Sequence, residues 1–196
     1  MLKEIPHDIK DLARAEAREV GYSVEEVDAY TTSLMEDYQV LLSGADTSKI
    51  STSRSIRAKM FNSEPGGYVL ADVDAMMERV EDIYAETERD LYIDTYGEEI
   101  WLKAVAELRD LLLGRLSREP GQRFRRPARR LTKGYYVKDV DAFCRRMMLH
   151  MQAKERLSMD DIRRTVFTSG TGSMAYEESQ VDAFMDRCIE YLQDTA

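Results

Sequence analysis

Hydrophobic positions follow one spacing in four separate stretches of the chain. Apolar residues recur there at intervals of three, four and four, which places them on one face of an α-helix. Each stretch therefore predicts an amphipathic helix whose apolar face must be covered by another element. The four stripes are Val27, Tyr30, Leu34, Tyr38; Val73, Met76, Val80, Tyr84; Val140, Phe143, Met147, Met151; and Val181, Phe184, Cys188, Leu192.

The residues that lead into each stripe also repeat. The common phrase is a small residue, Tyr, four variable residues, then Val and Asp, and it occurs four times in 196 residues. Such self-similarity identifies the unit of folding. The signature residues are Gly21, Tyr22, Val27, Asp28; Gly67, Tyr68, Val73, Asp74; Gly134, Tyr135, Val140, Asp141; and Tyr176, Val181, Asp182, with Ala175 at the small position of the fourth copy.

Each signature residue has a local structural interpretation. The glycine suits a sharp turn, the tyrosine can pack back over the first helical turn, and the aspartate favours the positive end of the helix dipole. Ser23 and Glu26 predict a full capping box in the first copy, and Ser158 with Asp161 predicts an N-cap farther along. These residues need no catalytic explanation.

The pattern predicts an all-α fold, built from four short-helix, loop, long-helix units packed as a bundle or array. A short helix is expected upstream of the second and fourth copies, where Ile and Phe recur five residues apart. One long central helix should act as a spine over 72–116 and break near Gly97. Loops are predicted at Ser43–Ser53, Asn62–Gly66, Ser117–Leu131 and Ser169–Ser173. The units are assigned to 1–45; 50–118, with the long helical extension; 119–155, with a basic loop; and 156–196.

Composition narrows the class of partner and the compartment. The net charge of -9 argues against nucleic-acid binding. The N-terminus lacks an apolar core like that of a signal peptide, and nowhere do about 18 apolar residues run together. We therefore expect a cytoplasmic protein, which could contact the inner face of a membrane only peripherally. Cys144 and Cys188 fall on apolar faces, so buried thiols are expected.

Charge is segregated along the chain. Residues 78–99 contain nine acidic and two basic residues, and residues 123–133 contain six basic and no acidic residues. The acidic run is typical of a solvated helix face. The basic run has two interpretations: it docks on the chain's own acidic helix, or it contacts anionic lipid or an acidic partner with its phenylalanine as an apolar anchor. The candidate contact residues are Arg123, Phe124, Arg125, Arg126, Arg129, Arg130 and Lys133.

Motifs for chemistry are weak throughout. Neither His7 nor His150 has a partner at a metal-ligand spacing, and the glycine-containing stretch Ser169–Ser173 lacks the lysine and preceding strand of a phosphate loop. No pair of carboxylates stands out for acid-base work. The sequence therefore predicts no enzyme, no metal site and no cofactor.

The phrase Gly-Tyr-x4-Val-Asp-x-Phe, with Ile and Phe upstream, resembles the N-terminal domain of the DivIVA family, bacterial scaffolds of cell division and cell poles. The likeness covers most of the chain in four pieces and is closest to proteins built of DivIVA-domain repeats. It implies an α-helical, non-enzymatic protein whose domain dimerises. The matching residues outside the signature are Ile56, Phe61, Ile162, Phe167, Phe143 and Phe184.

The chain departs from the family at the Phe-Arg pair that precedes Gly-Tyr and contacts membranes. Those places hold Glu19-Val20, Pro65-Gly66, Thr132-Lys133 and Ser173-Met174, so only Lys133 retains the charge. Membrane contact at these positions is therefore not expected. Phe124 is interpreted as the upstream core phenylalanine, displaced by a longer loop. The long C-terminal coiled coil of typical members is not seen.

Three functions are weighed, and the third, an enzyme or nucleotide binder, has almost no support in the sequence. The first is a non-catalytic scaffold or adaptor related to bacterial cell division or polar growth, acting through protein partners such as division or cell-envelope proteins, with self-association left open. The alternative is a peripheral membrane-binding module that uses the basic 123–133 loop. The sequence also leaves open whether the units pair across two chains or within one chain as two pseudo-dimers.

Overall fold

Helices make up most of the structure. A computed structural model describes residues 12–43 and 47–195. The described chain is mainly helical (62%), with seven helices and two small antiparallel sheets. The expectation of an all-α fold is therefore confirmed only in part, because short strands lie where the pattern predicted turns and loops. The chain divides into two compact units, Met1–Glu98 and Glu99–Ala196.

The first unit contains the first two repeats. Strand β1 pairs with β2 in antiparallel register, with Gly21 opposite Glu64. The stripes of α1 and α3 face a shared core, in which Val27, Leu34, Val73 and Tyr84 are fully or almost fully buried. Its elements are β1 (Val20–Tyr22), α1 (Val24–Ser43), α2 (Ser53–Arg57), β2 (Ser63–Pro65) and α3 (Leu70–Tyr96).

The second unit contains the third and fourth repeats, preceded by an additional helix. Strand β3 lies between β4 and β5 and is antiparallel to both. Val140, Met147, Val181 and Cys188 from the two repeat helices are fully buried in its core. The elements are α4 (Glu98–Leu116), β3 (Lys133–Tyr136), α5 (Val137–Met151), α6 (Met159–Arg163), β4 (Ser169–Thr171), β5 (Ala175–Tyr176) and α7 (Glu178–Thr195).

The two units have the same internal plan. In each, a long helix follows the first signature; then come a short helix, one strand in the first unit or two in the second, and a second long helix. The short helices α2 and α6 both begin with a capping box, Thr52 with Ser55 and Ser158 with Asp161. Each therefore provides its own N-terminal hydrogen bonds before the buried isoleucine, Ile56 or Ile162, enters the core.

Several local predictions can be compared directly with these elements. The break at Gly97 is confirmed: the residue ends α3 with a φ of 91°, and its N–H donates to the carbonyl of Ile93 over 2.8 Å. The N-cap at Ser158 is confirmed as well. The capping box at Ser23 is wrong, because the N–H of Ser23 donates to the carbonyl of Asn62 over 2.8 Å, while Glu26 accepts from Asn62. His7 lies outside the described residues.

The remaining loop predictions were partly wrong. Asn62–Gly66 contains β2, and Ser169–Ser173 contains β4 followed by a short 3₁₀ turn. Of Ser43–Ser53, residues 44–46 lie outside the described chain, and Ser117–Leu131 contains no helix or strand. The strands were missed because each is only two to four residues long and has no alternating pattern.

None of the helices that the structure describes has the length and the hydropathy needed to cross a membrane.

Candidate functional site

The signature glycines lie where two repeats cross. In the first unit the backbones of Tyr22 and Tyr68 exchange two hydrogen bonds, of 2.9 and 2.8 Å. A Cβ atom on Gly21 would overlap the carbonyl oxygen of Tyr68, and one on Gly67 would overlap that of Tyr22. Neither glycine has a positive φ. The turn interpretation was therefore wrong: glycine is needed because two backbones approach closely, not because the chain bends.

The same crossing occurs in the second unit. Tyr135 lies opposite Tyr176 in the β3–β5 ladder. A Cβ on Gly134 would overlap the carbonyl oxygen of Tyr176, while Ala175 occupies the remaining small position and is fully buried. The described repeats therefore pair within the chain, first with second and third with fourth.

The signature tyrosines and aspartates connect the paired repeats. The hydroxyl of Tyr68 donates to Asp28 over 2.9 Å, and that of Tyr176 donates to Asp141 over 3.1 Å. The reverse bonds run from Tyr22 to Asp74 and from Tyr135 to Asp182. Burial, reinforced by the acceptor carboxylate, raises the pKa of Tyr135 to about 12. Each repeat thus donates one such bond to its partner and accepts one from it.

A second contact ties each first repeat to the segment before its partner. Glu26 accepts from the N–H of Asn62 over 2.9 Å, and Asp139 accepts from the N–H of Thr168 over the same distance. The side-chain and backbone bonds from Thr168 lower the pKa of Asp139, because they favour the ionised carboxylate. These acceptors hold the strand that follows the short helix against the start of the long helix.

An arginine precedes each crossing. Arg14 lies over the ring of Tyr68, 5.4 Å from its centroid, and donates to the carbonyl of Gly66 over 2.9 Å. Arg126 lies 4.7 Å from the centroid of Tyr176 and donates to the carbonyls of Ala175 and Gly121. Positively charged guanidinium groups on aromatic faces stabilise this arrangement. The two arginines therefore have equivalent structural roles in the two units.

The beginning of the basic segment is part of the second unit's core. Arg123 is 9% exposed and forms an ion pair of 2.8 Å with Asp141. Phe124 is 5% exposed, and its ring packs edge-on against Tyr176 and Phe184 at 5.2 and 5.3 Å. Phe124 is thus not available as a membrane anchor, because its ring is covered by other aromatic rings.

The register of backbone bonds identifies the counterpart of Phe124. The N–H of Glu177 donates to Arg125 as that of Val69 donates to Ala13, each over 2.9 Å. This register makes Phe124 equivalent to Leu12, which packs against the first core. The placement of Phe124 in a core is confirmed. Its equivalence to the upstream phenylalanines is wrong, since it precedes the first repeat of its unit whereas Phe61 and Phe167 precede the second.

The rest of the basic segment lies at the surface. Arg125 is exposed and lies 3.4 Å from Glu177. Arg129, Arg130 and Lys133 are also exposed. Between them, Leu131 exposes 88% of its surface. The candidate residues therefore form two groups. Arg123, Phe124 and Arg126 are structural, and Arg125, Arg129, Arg130 and Lys133 form the exposed group.

Sequence reasoning missed two features of this site. The tyrosine and the aspartate of the signature were explained separately, although their joint recurrence indicated that they bond to each other. The roles of Arg14 and Arg126 gave no such signal, because the two residues lie at different distances from their tyrosines in the sequence.

Other side chains with chemical potential have structural partners. The Nδ1 atom of His150 accepts from the N–H of Leu157 over 3.0 Å. Cys144 and Cys188 are free, fully buried thiols. Burial raises the pKa of Cys144 to about 12 and raises that of Cys188 as well. In the described parts of the chain, no three His, Cys, Asp or Glu side chains cluster in a way that could hold a metal ion.

Comparisons with known proteins return no relative. No protein-family model matches the chain, and neither the curated proteins nor the solved structures include a match.

Proposed function

We propose that this protein is a non-catalytic scaffold or adaptor that acts through protein contacts, in bacterial cell division or polar growth. One observation carries the proposal: the residues that the chain repeats are used to join one repeat to another. The tyrosine of each copy bonds to the aspartate of its partner, and the glycines allow their backbones to cross. Residues repeated in this way serve assembly.

The resemblance to DivIVA-domain repeats supplies the cellular setting of the proposal. The finer fold that we propose is four DivIVA-like units arranged as two internal pseudo-dimers. The crossing backbones support it, because the partner that a single domain takes from another chain is here taken from the same chain. Surfaces outside the crossings are then left for other proteins.

The position of the protein within the cell tests its proposed role in cell division or polar growth. A fluorescent fusion of the full chain, expressed in the bacterium that encodes it, should concentrate at the septum or poles, and pull-downs should recover division or envelope proteins. The matched variant is Tyr68→Phe/Tyr176→Phe, which weakens both crossings and removes a single hydroxyl, that of Tyr68, from the surface. A uniformly diffuse signal from the unmodified fusion, with no such protein recovered, would refute the proposal.

A second candidate function is peripheral binding to an anionic membrane. The observation that favours it is Leu131, which is 88% exposed beside the exposed cations Arg129, Arg130 and Lys133. An apolar tip among positive charges is suited to anionic lipid head groups. In this version the contact uses the exposed group of the basic segment, without Phe124.

Vesicle sedimentation tests the second candidate. The chain should pellet with phosphatidylglycerol vesicles at low salt and be released at high salt. Arg129→Glu/Arg130→Glu and Leu131→Asp should each reduce binding, whereas Arg145→Glu/Arg164→Glu, which changes exposed charges elsewhere by the same amount, should reduce it less. Equal losses in both charge variants would show a net-charge effect and contradict a specific contact.

A further inference from the structure

Helix α4 has two apolar faces, and the described residues of the chain cover only one of them. Leu112 and Leu116 are buried in the second unit's core, and Leu108 packs against it. A neighbouring face carries Ile100 and Leu111, which expose 49% and 60% of their surfaces. Ala104, one turn after Ile100, is exposed on the same side. An exposed apolar stripe on a helix indicates a contact surface.

Two opposite charges border this exposed stripe. Lys103 and Glu107 are exposed and lie one turn apart on the same flank of α4. Within residues 12–43 and 47–195, neither side chain forms an ion pair or a hydrogen bond. A partner that covers the stripe would therefore meet a positive and a negative charge in a fixed order.

We propose that the exposed stripe of α4 binds the same stripe of a second copy of this chain, with the two helices antiparallel. The charge order selects this partner. Along the helix, the point midway between residues 100 and 111 nearly coincides with the point midway between residues 103 and 107. Both points lie next to Val105. A two-fold axis at that point places Ile100 against Leu111 of the second copy, and Lys103 against its Glu107.

The antiparallel orientation follows from the same charges. In a parallel two-fold pair, the flank with Lys103 and Glu107 would face the opposite flank of the second copy, which carries Ala104 and Leu108, so neither charge would meet an opposite charge. In the antiparallel pair, both cross-copy contacts join opposite charges, and Ala104 leaves room for close approach at the centre. An isologous contact of this kind closes on itself and gives a dimer, not an open filament.

This inference deepens the proposed scaffold function and rests on it, by giving a protein-contact scaffold a defined self-association surface. Sedimentation velocity of the full chain over a range of concentrations tests it. The mass should rise from 22.6 kDa towards twice that value. Leu111→Glu should weaken dimerisation at least about tenfold, because it places a charge in an apolar contact. A chain that stays monomeric throughout would overturn the inference.

The matched control is Leu102→Glu. Leu102 is 58% exposed on a different face of α4, so its replacement changes charge and hydropathy equally without touching the stripe. It should dimerise like the unmodified chain. Equal weakening by Leu102→Glu and Leu111→Glu would overturn the assignment of the face. Circular dichroism should show unchanged helix content in both variants, since both positions are exposed.

A charge exchange tests the register. Lys103→Glu and Glu107→Lys should each weaken the dimer several-fold, because each replaces two attractive contacts by two repulsive ones. The double variant should restore most of the affinity, and Arg109→Glu, on the opposite face, should have little effect. A double variant as weak as the single ones would overturn the antiparallel register.

These outcomes are separable from those of the proposed function. A monomeric chain that still localises to septum or poles would overturn the α4 contact alone. A dimer that remains diffuse in cells and recovers no division or envelope protein would overturn the scaffold function and leave the α4 contact in place.

Discussion

At the scale of single residues, the tyrosine and the aspartate of each signature are explained by the partner repeat, to which both are hydrogen-bonded. Tyr176 is fully buried, and its hydroxyl donates to Asp141 and accepts from the N–H of Arg123 over 3.2 Å. Tyr68 makes the equivalent bond to Asp28 at the surface. The same bond therefore lies in different surroundings in the two units, and its contribution to stability should differ accordingly.

Tyr176→Phe should lower the free energy of unfolding by about 1–2 kcal/mol. It leaves the buried N–H of Arg123 without its acceptor and removes one hydrogen bond to the carboxylate of Asp141. Tyr68→Phe should cost less, on the order of 0.5 kcal/mol, because water can replace the exposed hydroxyl. Urea denaturation followed by circular dichroism measures both. Tyr96→Phe, at a tyrosine 57% exposed near the end of α3, is the control. A larger loss for Tyr68→Phe would contradict this ranking.

Gly67→Ala should destabilise the first unit by about 3 kcal/mol or more, because its Cβ would overlap a backbone carbonyl that cannot move aside cheaply. Gly114→Ala is the matched control: a Cβ there meets no atom within 4 Å, and alanine favours the helix by about 0.5–1 kcal/mol. Thermal denaturation should show a lower transition for the first variant and an equal or higher one for the second. A stable Gly67→Ala protein would refute the close-approach explanation.

At the scale of elements, periodicity predicted the long helices and left the strands unseen. The apolar stripes locate α1, α3, α5 and α7 because burial of one helical face imposes a spacing that can be read directly. Strands such as β1 and β5 are too short for a spacing of their own. They form because two copies of the same phrase meet, and that meeting depends on residues far apart in the chain.

The candidate site also depends on contacts between distant residues, which sequence patterns do not reveal. Its basic run was visible in the sequence, but the division of that run between core and surface was not. Phe124 is buried because the backbone of Arg125 hydrogen-bonds to Glu177, a contact across 52 residues that composition cannot indicate.

The contact between Asp139 and Thr168 should make stability depend on pH. The pKa of Asp139 is lowered in the folded state, so the contact stabilises above the unfolded pKa, near 4, and this contribution is lost as the pH falls through the folded pKa. Thr168→Val should therefore destabilise at pH ~7 and have little effect at pH ~2 to 3, and it should raise the pKa of Asp139 in an NMR titration.

The double variant provides the control for this titration. In an Asp139→Asn background, Thr168→Val should have the same effect at both pH values, because no titrating carboxylate remains in the contact. A pH-dependent effect of Thr168→Val in that background would assign the dependence to another group.

At the scale of the whole molecule, two cores carry the stability. Val27 and Val140 hold the same signature position in the first and second units, and both are fully buried. Both cysteines lie in the second core, where they can report on that unit alone. The pairing of repeats into two units therefore predicts that one core can be disrupted while the other stays folded.

Val27→Asp should unfold the first unit, because a charge in an apolar core costs several kcal/mol, and the thiols of Cys144 and Cys188 should remain unreactive towards Ellman's reagent. Val140→Asp should make both thiols reactive. Circular dichroism should show partial loss of helix in both variants, and a denatured sample should give two reactive thiols. Fast thiol reaction in Val27→Asp would show that the two units fold as one.

The placement of the two short capped helices has a consequence for the history of the chain. Each precedes the second member of a pair, while an arginine over a tyrosine ring precedes the first. The second copy thus corresponds to the fourth and the first to the third. Two rounds of gene duplication would produce such an alternation, if one fused a self-pairing ancestor into a tandem and a later one doubled the finished tandem. In that history, the alanine at position 175, where the other three copies have glycine, would be a change made after the crossing already existed.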